Sequence, residues 1–411
     1  ILQFVYPHRR SADSRNVRTS YEEYGRVPVP IIVADETIVT SEPVDNLYSF
    51  LRTYEQGELY AHSTGYFSVA FNSMTGVERY ENSVLGGSDT ALAIQRLRDL
   101  ITGDEQRGGG VELTLDPEIQ QAAVDALAGQ KGSIVVLEPD TGRILAMVSI
   151  PSYDPNLLAT HNSADAQANY DALIANPDQP LLNRATGGNL YAPGSVYKIV
   201  TATAMLESGA DMDDEIEAPT EYSPPGTTHV IHNPGEAACG DGSGEATLLQ
   251  SIRQSCNTPF AIAAVELGED AMREQAERFG FGQSLSIPMP VTPSQFPDSQ
   301  TQAELAQVGF GQYELKVSPM QMAMVASSIA NDGSLMAPYL VDRTLSADLD
   351  EISTTSPSEF SRPMSEDTAE QLTTMMVDVV DNGTGFRAQI QGVDVAGKTG
   401  TAEISSTIAP H

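Results

Sequence analysis

One stretch constrains the fold more than any other: Pro193-Gly194-Ser195-Val196-Tyr197-Lys198, running directly into Ile199-Val200-Thr201-Ala202-Thr203-Ala204-Met205-Leu206. Pro193 and Gly194 suit a turn that launches a helix, not a helix interior. The residues from Ser195 to Leu206 suit the helix, and Ser208-Gly209 stops it. Ser195 is therefore expected in the first turn, with Lys198 on the same face and close enough to touch it. The unpaired N–H groups of that turn favour developing negative charge. A serine beside an amine that can lose its proton, at the positive end of a helix, is an activated nucleophile.

A Ser-x-x-Lys pair alone is common by chance, and a surface serine near a solvated lysine would look the same. Lysine usage sharpens the reading. The chain has four lysines, Lys131, Lys198, Lys316 and Lys398, and its other strongly basic side chains are all arginine. An arginine cannot accept a proton at neutral pH, whereas a lysine can when its surroundings lower its pKa. Lys198 belongs to the Ser-x-x-Lys, and Lys398 to Lys398-Thr399-Gly400-Thr401. Between them stands Ser255-Cys256-Asn257, on its own an ordinary polar helix start. In this order the three motifs form the signature set of serine penicillin-recognising enzymes.

The sequence resembles the class B penicillin-binding proteins, peptidoglycan D,D-transpeptidases, and most of all the A-type members of actinobacteria. The likeness also covers Val136-Leu137-Glu138-Pro139-Asp140-Thr141-Gly142, Pro151-Ser152-Tyr153-Asp154-Pro155-Asn156, Gly309-Phe310-Gly311-Gln312 and Pro319-Met320-Gln321-Met322-Ala323. It extends over most of the chain from about Val111 onward. The fold it implies is α+β: an antiparallel sheet flanked by helices, plus an all-α part, with the Ser195 helix buried between them. A β-rich N-terminal pedestal would precede this catalytic domain.

The resemblance also implies roles. Ser195 would attack the penultimate carbonyl of a D-Ala-D-Ala stem peptide and expel the terminal D-alanine, and an amine of a neighbouring stem peptide would take the acyl group. β-Lactam antibiotics would acylate the same serine. Lys198 must be neutral to accept the serine proton, so burial and a second cation, Lys398, would lower its pKa. Ser255 would relay the proton to the leaving amine. Asn257 would fix Lys198 and hold the substrate's peptide carbonyl. Lys398, Thr399 and Thr401 would bind the terminal carboxylate. Val393 to Glu403 reads as an edge strand, along which a peptide could lie because Gly400 allows close backbone approach. The oxyanion hole would use the backbone N–H groups of Ser195 and Thr401.

The family works outside the cytoplasmic membrane, where disulfides persist, so Cys239 and Cys256 are expected to pair, with two buried free thiols as the alternative. Family members carry an N-terminal signal-anchor helix, and Ile1-Leu2-Gln3-Phe4-Val5-Tyr6 reads as lying just past it or as a first strand. Glycan polymerisation would fall to a SEDS-type membrane glycosyltransferase partner. The residues after Glu403, Ile404 to His411, read as the loop that follows the strand, with two more strands and a long helix expected beyond them.

At 411 residues the chain is too long for one ordinary core. The clearest linker is Thr102-Gly103-Asp104-Glu105-Gln106-Arg107-Gly108-Gly109-Gly110, which divides a pedestal or dimerisation-type domain, 1–107, from a transpeptidase domain, 108–411. In the first part Val27 to Val33 resembles an extended run that its prolines confine to an edge, Tyr66 to Phe71 alternates like a strand, and Ala91 to Ile101 has helical spacing. Later, Asp116-Pro117 starts a helix, Ser133–137 and 144–150 flank a turn as a hairpin, and helices follow Ser318-Pro319 and Thr368. The methionines on these last helices read as core. A net charge of −34 argues against nucleic acid as a partner.

His229-Val230-Ile231-His232 lies in a Pro/Gly-rich loop with no third ligand in sight, so no metal and no other cofactor is expected. Three other functions share features with this chain. A class A β-lactamase would add a Glu-x-x-Leu-Asn segment, which is not found here. A β-lactam sensor would need transmembrane signalling elements. A D,D-carboxypeptidase is close in chemistry; the pedestal and the overall resemblance favour the transpeptidase.

Overall fold

The structure, a computed structural model, describes residues 30–87, 89, 92, 108–299 and 301–402. The readings of 1–6, 27–29, 93–107 and 403–411 lie outside the described residues, as does most of the helix expected from Ala91.

The largest sheet has six strands in the order Glu351–Thr354, Val341–Leu345, Val111–Leu113, Ile31–Val33, Glu36–Pro43 and Phe50–Tyr54. Its centre is a parallel pair, Ile31 opposite Val111 and Val33 opposite Leu113, and its other pairings are antiparallel. Every residue of the two central strands is buried, as a parallel pair covered on both faces requires. The sequence reading of an edge strand here is corrected. Ile31–Val33 is an interior strand because Pro30 precedes it and need not donate; the Pro30 carbonyl instead accepts from Val111 N at 3.1 Å. The strand expected over 66–71 shrinks to Phe67–Ser68, paired with Ser73–Met74.

The local signals farther along are found as elements. Asp116 Oδ1 accepts from Glu118 N and Ile119 N at 2.9 and 3.0 Å, capping the Pro117–Leu127 helix. Gly132–Leu137 and Ile144–Ile150 form the antiparallel hairpin, with Gly132 opposite Ile150. Ala146 and Val148 pack with Ala123 of the Pro117–Leu127 helix on one face. Ile144 and Met147 belong to a second core, shared with Met320 and Met324 of the Pro319–Ala330 helix, which packs on the Gly132–Leu137 strand. These methionines fill core space with unbranched, adaptable side chains.

The Lys198–Glu207 helix is the centre of the all-α part, buried from Lys198 through Leu206. Around it pack the helices Thr258–Leu267, Glu269–Arg278, Gln302–Gly309 and Glu366–Asp381, contributing Phe260, Met272, Leu305 and Met375 to one core. A helix with no exposed face cannot drift, so whatever its first turn carries is held rigidly.

One expected strand is absent. Among the described residues the segment from Val393 to Ala402 has only an isolated bridge, Ile390 to Val393, and no ladder. A strand exists only through its neighbours' hydrogen bonds, and no described strand pairs with this segment.

Candidate active site

Ser195 does not begin the α-helix directly. Gly194–Tyr197 is a 3-10 turn, and the α-helix starts at Lys198. In 3-10 geometry residues i and i+3 eclipse, which aligns Ser195 and Lys198 more closely than an α-turn would. Lys198 Nζ lies 2.9 Å from Ser195 Oγ.

The turn depends on two glycines. Gly194 has φ +56°, and a Cβ there would overlap the Thr401 carbonyl oxygen. Gly311 has φ +87°, and a Cβ there would overlap the Gly194 carbonyl oxygen, while its own carbonyl accepts from Gly194 N at 3.0 Å. The Gly309-Phe310-Gly311-Gln312 segment is thus a backbone support for the serine turn. Thr201 adds a second tie, donating to the Gly309 carbonyl at 2.7 Å.

The second motif sits between two helices. Leu248–Gln254 ends, Ser255 adopts a left-handed conformation (φ 58°, ψ 39°), and Thr258–Leu267 begins. For a serine this costs about 1 kcal/mol or more and persists only when its surroundings impose it. The result is that both oxygens of Ser255 face lysines. Its carbonyl accepts from Lys198 Nζ at 2.7 Å, and its Oγ lies 3.3 Å from Lys198 Nζ and 2.7 Å from Lys398 Nζ.

Asn257 turns its side chain away from capping its own helix and toward Lys198, with Oδ1 at 2.8 Å from Nζ. Its other end is committed too, since Nδ2 donates to the His232 carbonyl at 2.7 Å. A carbonyl only accepts, so this bond fixes which end of the amide meets the lysine.

Sequence reasoning missed Asn233. It is 4 % exposed, and its Oδ1 accepts from Asn257 N at 2.8 Å and Thr258 N at 3.1 Å. Its Nδ2 donates to the carbonyls of Pro219 and Ala237. Asn233 is the cap of the Thr258 helix, supplied from 24 residues away, so no local spacing could reveal it. The His229-Val230-Ile231-His232 segment enters through the His232 backbone carbonyl just described.

Lys198 has no exposed surface. Burial first, and the nearby Lys398 charge second, push its pKa well below that of an ordinary lysine. Burial also holds Lys398 down, to about 8, so it remains mostly cationic at neutral pH. Lys398 Nζ donates to the Thr399 carbonyl at 2.9 Å as well as meeting Ser255. Thr399 Oγ1 lies 2.7 Å from Thr384 Oγ1, a partner no sequence signal indicated. Gly400 sits against the serine turn, where a Cβ would lie 2.9 Å from Val196 Cγ1. Ser195, Ser255, Asn257, Thr399, Gly400 and Thr401 line one cleft of about 890 Å³. Among the described residues no group of three or more metal-ligating side chains converges.

Cys239 and Cys256 are joined by a disulfide with Cα atoms 6.0 Å apart, tying the loop after Asn233 to the Ser255 turn. Closing a loop of this size restricts the unfolded chain by about 3 kcal/mol. Replacing both cysteines by serine should lower stability by roughly that amount in denaturant titration. The unreduced, denatured wild type should show no titratable thiol; two thiols would rule the bridge out.

With this geometry in hand, comparison with known proteins is decisive. Residues 132–408 match the penicillin binding protein transpeptidase domain, and residues 30–111 match the penicillin binding protein A dimerisation domain. The chain belongs to the penicillin-binding protein transpeptidase family. It is 40% identical over 402 residues to the peptidoglycan D,D-transpeptidase PbpA of Mycolicibacterium smegmatis, covering 95% of this chain and 80% of that protein. The PbpA of Mycobacterium tuberculosis is also 40% identical, over 403 residues, with the same coverage. The ceftriaxone acyl-enzyme complex of penicillin-binding protein A from M. tuberculosis superposes with a TM-score of 0.89 at 39% identity, covering 94% of this chain and 87% of that one. This penicillin-binding protein therefore has the fold class its motifs implied.

Proposed function

We infer that this chain is a serine D,D-transpeptidase of peptidoglycan, working through a Ser195 acyl-enzyme that β-lactams also form. One observation carries the assignment of roles. A neutral amine has two N–H donors and one lone pair. At Lys198 the two closest acceptors, the Ser255 carbonyl at 2.7 Å and Asn257 Oδ1 at 2.8 Å, cannot donate and so take both N–H groups. The lone pair is left for the Ser195 hydroxyl at 2.9 Å. A base already aimed at the nucleophile needs no rearrangement before reaction.

Ser195 Oγ bonds to the penultimate carbonyl carbon while its proton passes to Lys198. The oxyanion meets the N–H groups of Ser195 and Thr401. Ser255 accepts a hydrogen bond from Lys398, which leaves its own proton free to point at the leaving nitrogen. The C–N bond breaks, that nitrogen takes the proton through Ser255, and D-alanine departs. The acceptor amine then retraces the path: its nitrogen bonds to the acyl carbon, the ester C–O bond breaks, and its proton returns to Ser195 through Lys198. Lys398, Thr399 and Thr401 hold the donor carboxylate, with Gly400 keeping their segment against the serine turn. Phe260 lies beneath Lys198, its ring centroid 5.8 Å from Nζ, and helps keep water from the amine.

The disulfide supports action on the extracytoplasmic side of the cell membrane. No described helix is long and apolar enough to cross a membrane, so the anchor belongs to the family reading. The same reading assigns polymerisation to a SEDS-type glycosyltransferase and pedestal duty to the residues before 108.

Labelled penicillin, followed for hours with purified protein, tests the function. A stoichiometric adduct that persists is expected; rapid turnover would indicate a β-lactamase, and no adduct a non-catalytic role. The pH profile tests the two lysines separately. Acylation should rise with pH as Lys198 loses its proton, then fall through about pH 8 as Lys398 loses its charge. Lys398→Arg keeps that charge, so it should acylate at a moderately reduced rate with the alkaline fall moved upward. An unmoved alkaline limb would remove Lys398 from it.

A further inference from the structure

The acyl-enzyme has two fates, attack by water or attack by an amine, and nothing in the machinery above selects the amine. The rim of the cleft offers a selector. Among the described residues lining the cleft, Glu236 is the sole carboxylate. It is exposed, and no ion pair among the described residues holds it.

Glu236 is also held in an unusual backbone. Gly235 and Glu236 are successive left-handed residues, at φ 66° and 56°. Glycine takes this conformation freely, whereas a glutamate pays for it, and such strain lasts only where the surroundings impose it. The surroundings are on both sides. Glu236 N donates to the Asn233 carbonyl at 2.9 Å, and Asn233 is the buried residue that caps the Asn257 helix start. Three residues on, Cys239 is bonded to Cys256. The carboxylate is therefore carried on a loop pinned at both ends to the Ser255-Cys256-Asn257 turn.

We propose that Glu236 docks the incoming amine of the acceptor stem peptide as its ammonium, and so favours amine over water as the second substrate. The proposal rests on the transpeptidase reading of the same site. An acceptor amine is an ammonium at neutral pH, and a carboxylate carried on a pinned backbone at the cleft raises its local concentration. The ammonium cannot react as such. Moving inward it approaches the Lys398 charge and the desolvated floor, both of which disfavour a second cation, so one proton is released to water. The neutral nitrogen then bonds to the acyl carbon as the Ser195 ester bond breaks, and the proton it loses reaches Ser195 Oγ through Lys198. Glu236 itself touches no reacting atom; it is a positioning residue.

The test uses the purified chain, a peptide ester donor ending in D-alanine, and two acceptors. Nα-acetyl-lysine amide presents an ammonium, and hydroxylamine is a small amine that is uncharged at neutral pH. The ratio of aminolysis to hydrolysis is read for each. Glu236→Gln should lower the ratio for the lysine acceptor roughly three- to tenfold, as expected for one surface charge at low salt. It should leave the hydroxylamine ratio and the penicillin acylation rate unchanged. Glu236→Asp should retain part of the preference, and high salt should erase the difference between wild type and Glu236→Gln. Equal losses with both acceptors, or no loss with lysine, would overturn the proposal. Failure of penicillin acylation in the wild type would instead refute the transpeptidase reading.

Discussion

Ser195→Ala should give a folded protein that takes up no covalent penicillin. The substitution removes one oxygen from the serine turn and leaves its supports in place, because Gly194 N still meets the Gly311 carbonyl and Thr201 still meets Gly309. Lys198 keeps its two acceptors in Ser255 and Asn257. One lost hydrogen bond costs about 1 kcal/mol, so Tm should move by only roughly 2–4 °C. The acylation rate should fall by on the order of 10⁶-fold, as when a nucleophile acting as part of a unit is removed. Mass spectrometry of the penicillin-treated variant reads the adduct directly. Stoichiometric labelling elsewhere would sink the assignment, and Ser255 would be the first residue to examine. It is the other serine hydroxyl beside a lysine of the site, at 2.7 Å from Lys398 Nζ.

What could be read in the sequence was what local spacing encodes. Asp116 caps a helix two and three residues ahead, and Ser318 caps another three residues ahead, so their signals lie within a few letters. The three motifs could be read because their chemistry is rare in combination, above all in a chain so poor in lysine. What was hidden depended on distant partners. The pairing of Ile31 with Val111 makes an interior strand of a proline-flanked run that looks like an edge. Asn233 looks like any loop asparagine until its oxygen meets Asn257 N across 24 residues. The segment carrying Lys398 alternates like a strand, yet among the described residues it has no ladder partner. The left-handed turn at Ser255 is likewise unmarked, because nothing in the letters Gln-Ser-Cys-Asn demands a positive φ there.

Lys198→Arg should be as damaging to acylation as Lys198→Ala, each lowering the rate by about 10²- to 10⁴-fold, the usual contribution of a positioned general base. The substitution is conservative in charge and wrong in chemistry. A guanidinium has only donors and does not give up its proton near neutral pH, so it cannot take the proton of Ser195. It would also place a permanent charge where Lys198 has no exposed surface and where Lys398 already supplies a cation. Lys198→Arg should therefore lose stability as well as rate, and a stability loss alone could mimic a catalytic one. Lys198→Met separates the two effects. Its unbranched stem fills the same apolar channel above Phe260 and carries no charge, so it should fold at least as well as Lys198→Ala and acylate as slowly. Acylation rates measured on all three variants, each checked for a cooperative thermal transition, decide the matter. If folded Lys198→Arg acylated at a near-normal rate, the proton would be leaving Ser195 by another route. Lys198 would then be a structural cation holding Ser255 and Asn257 in place.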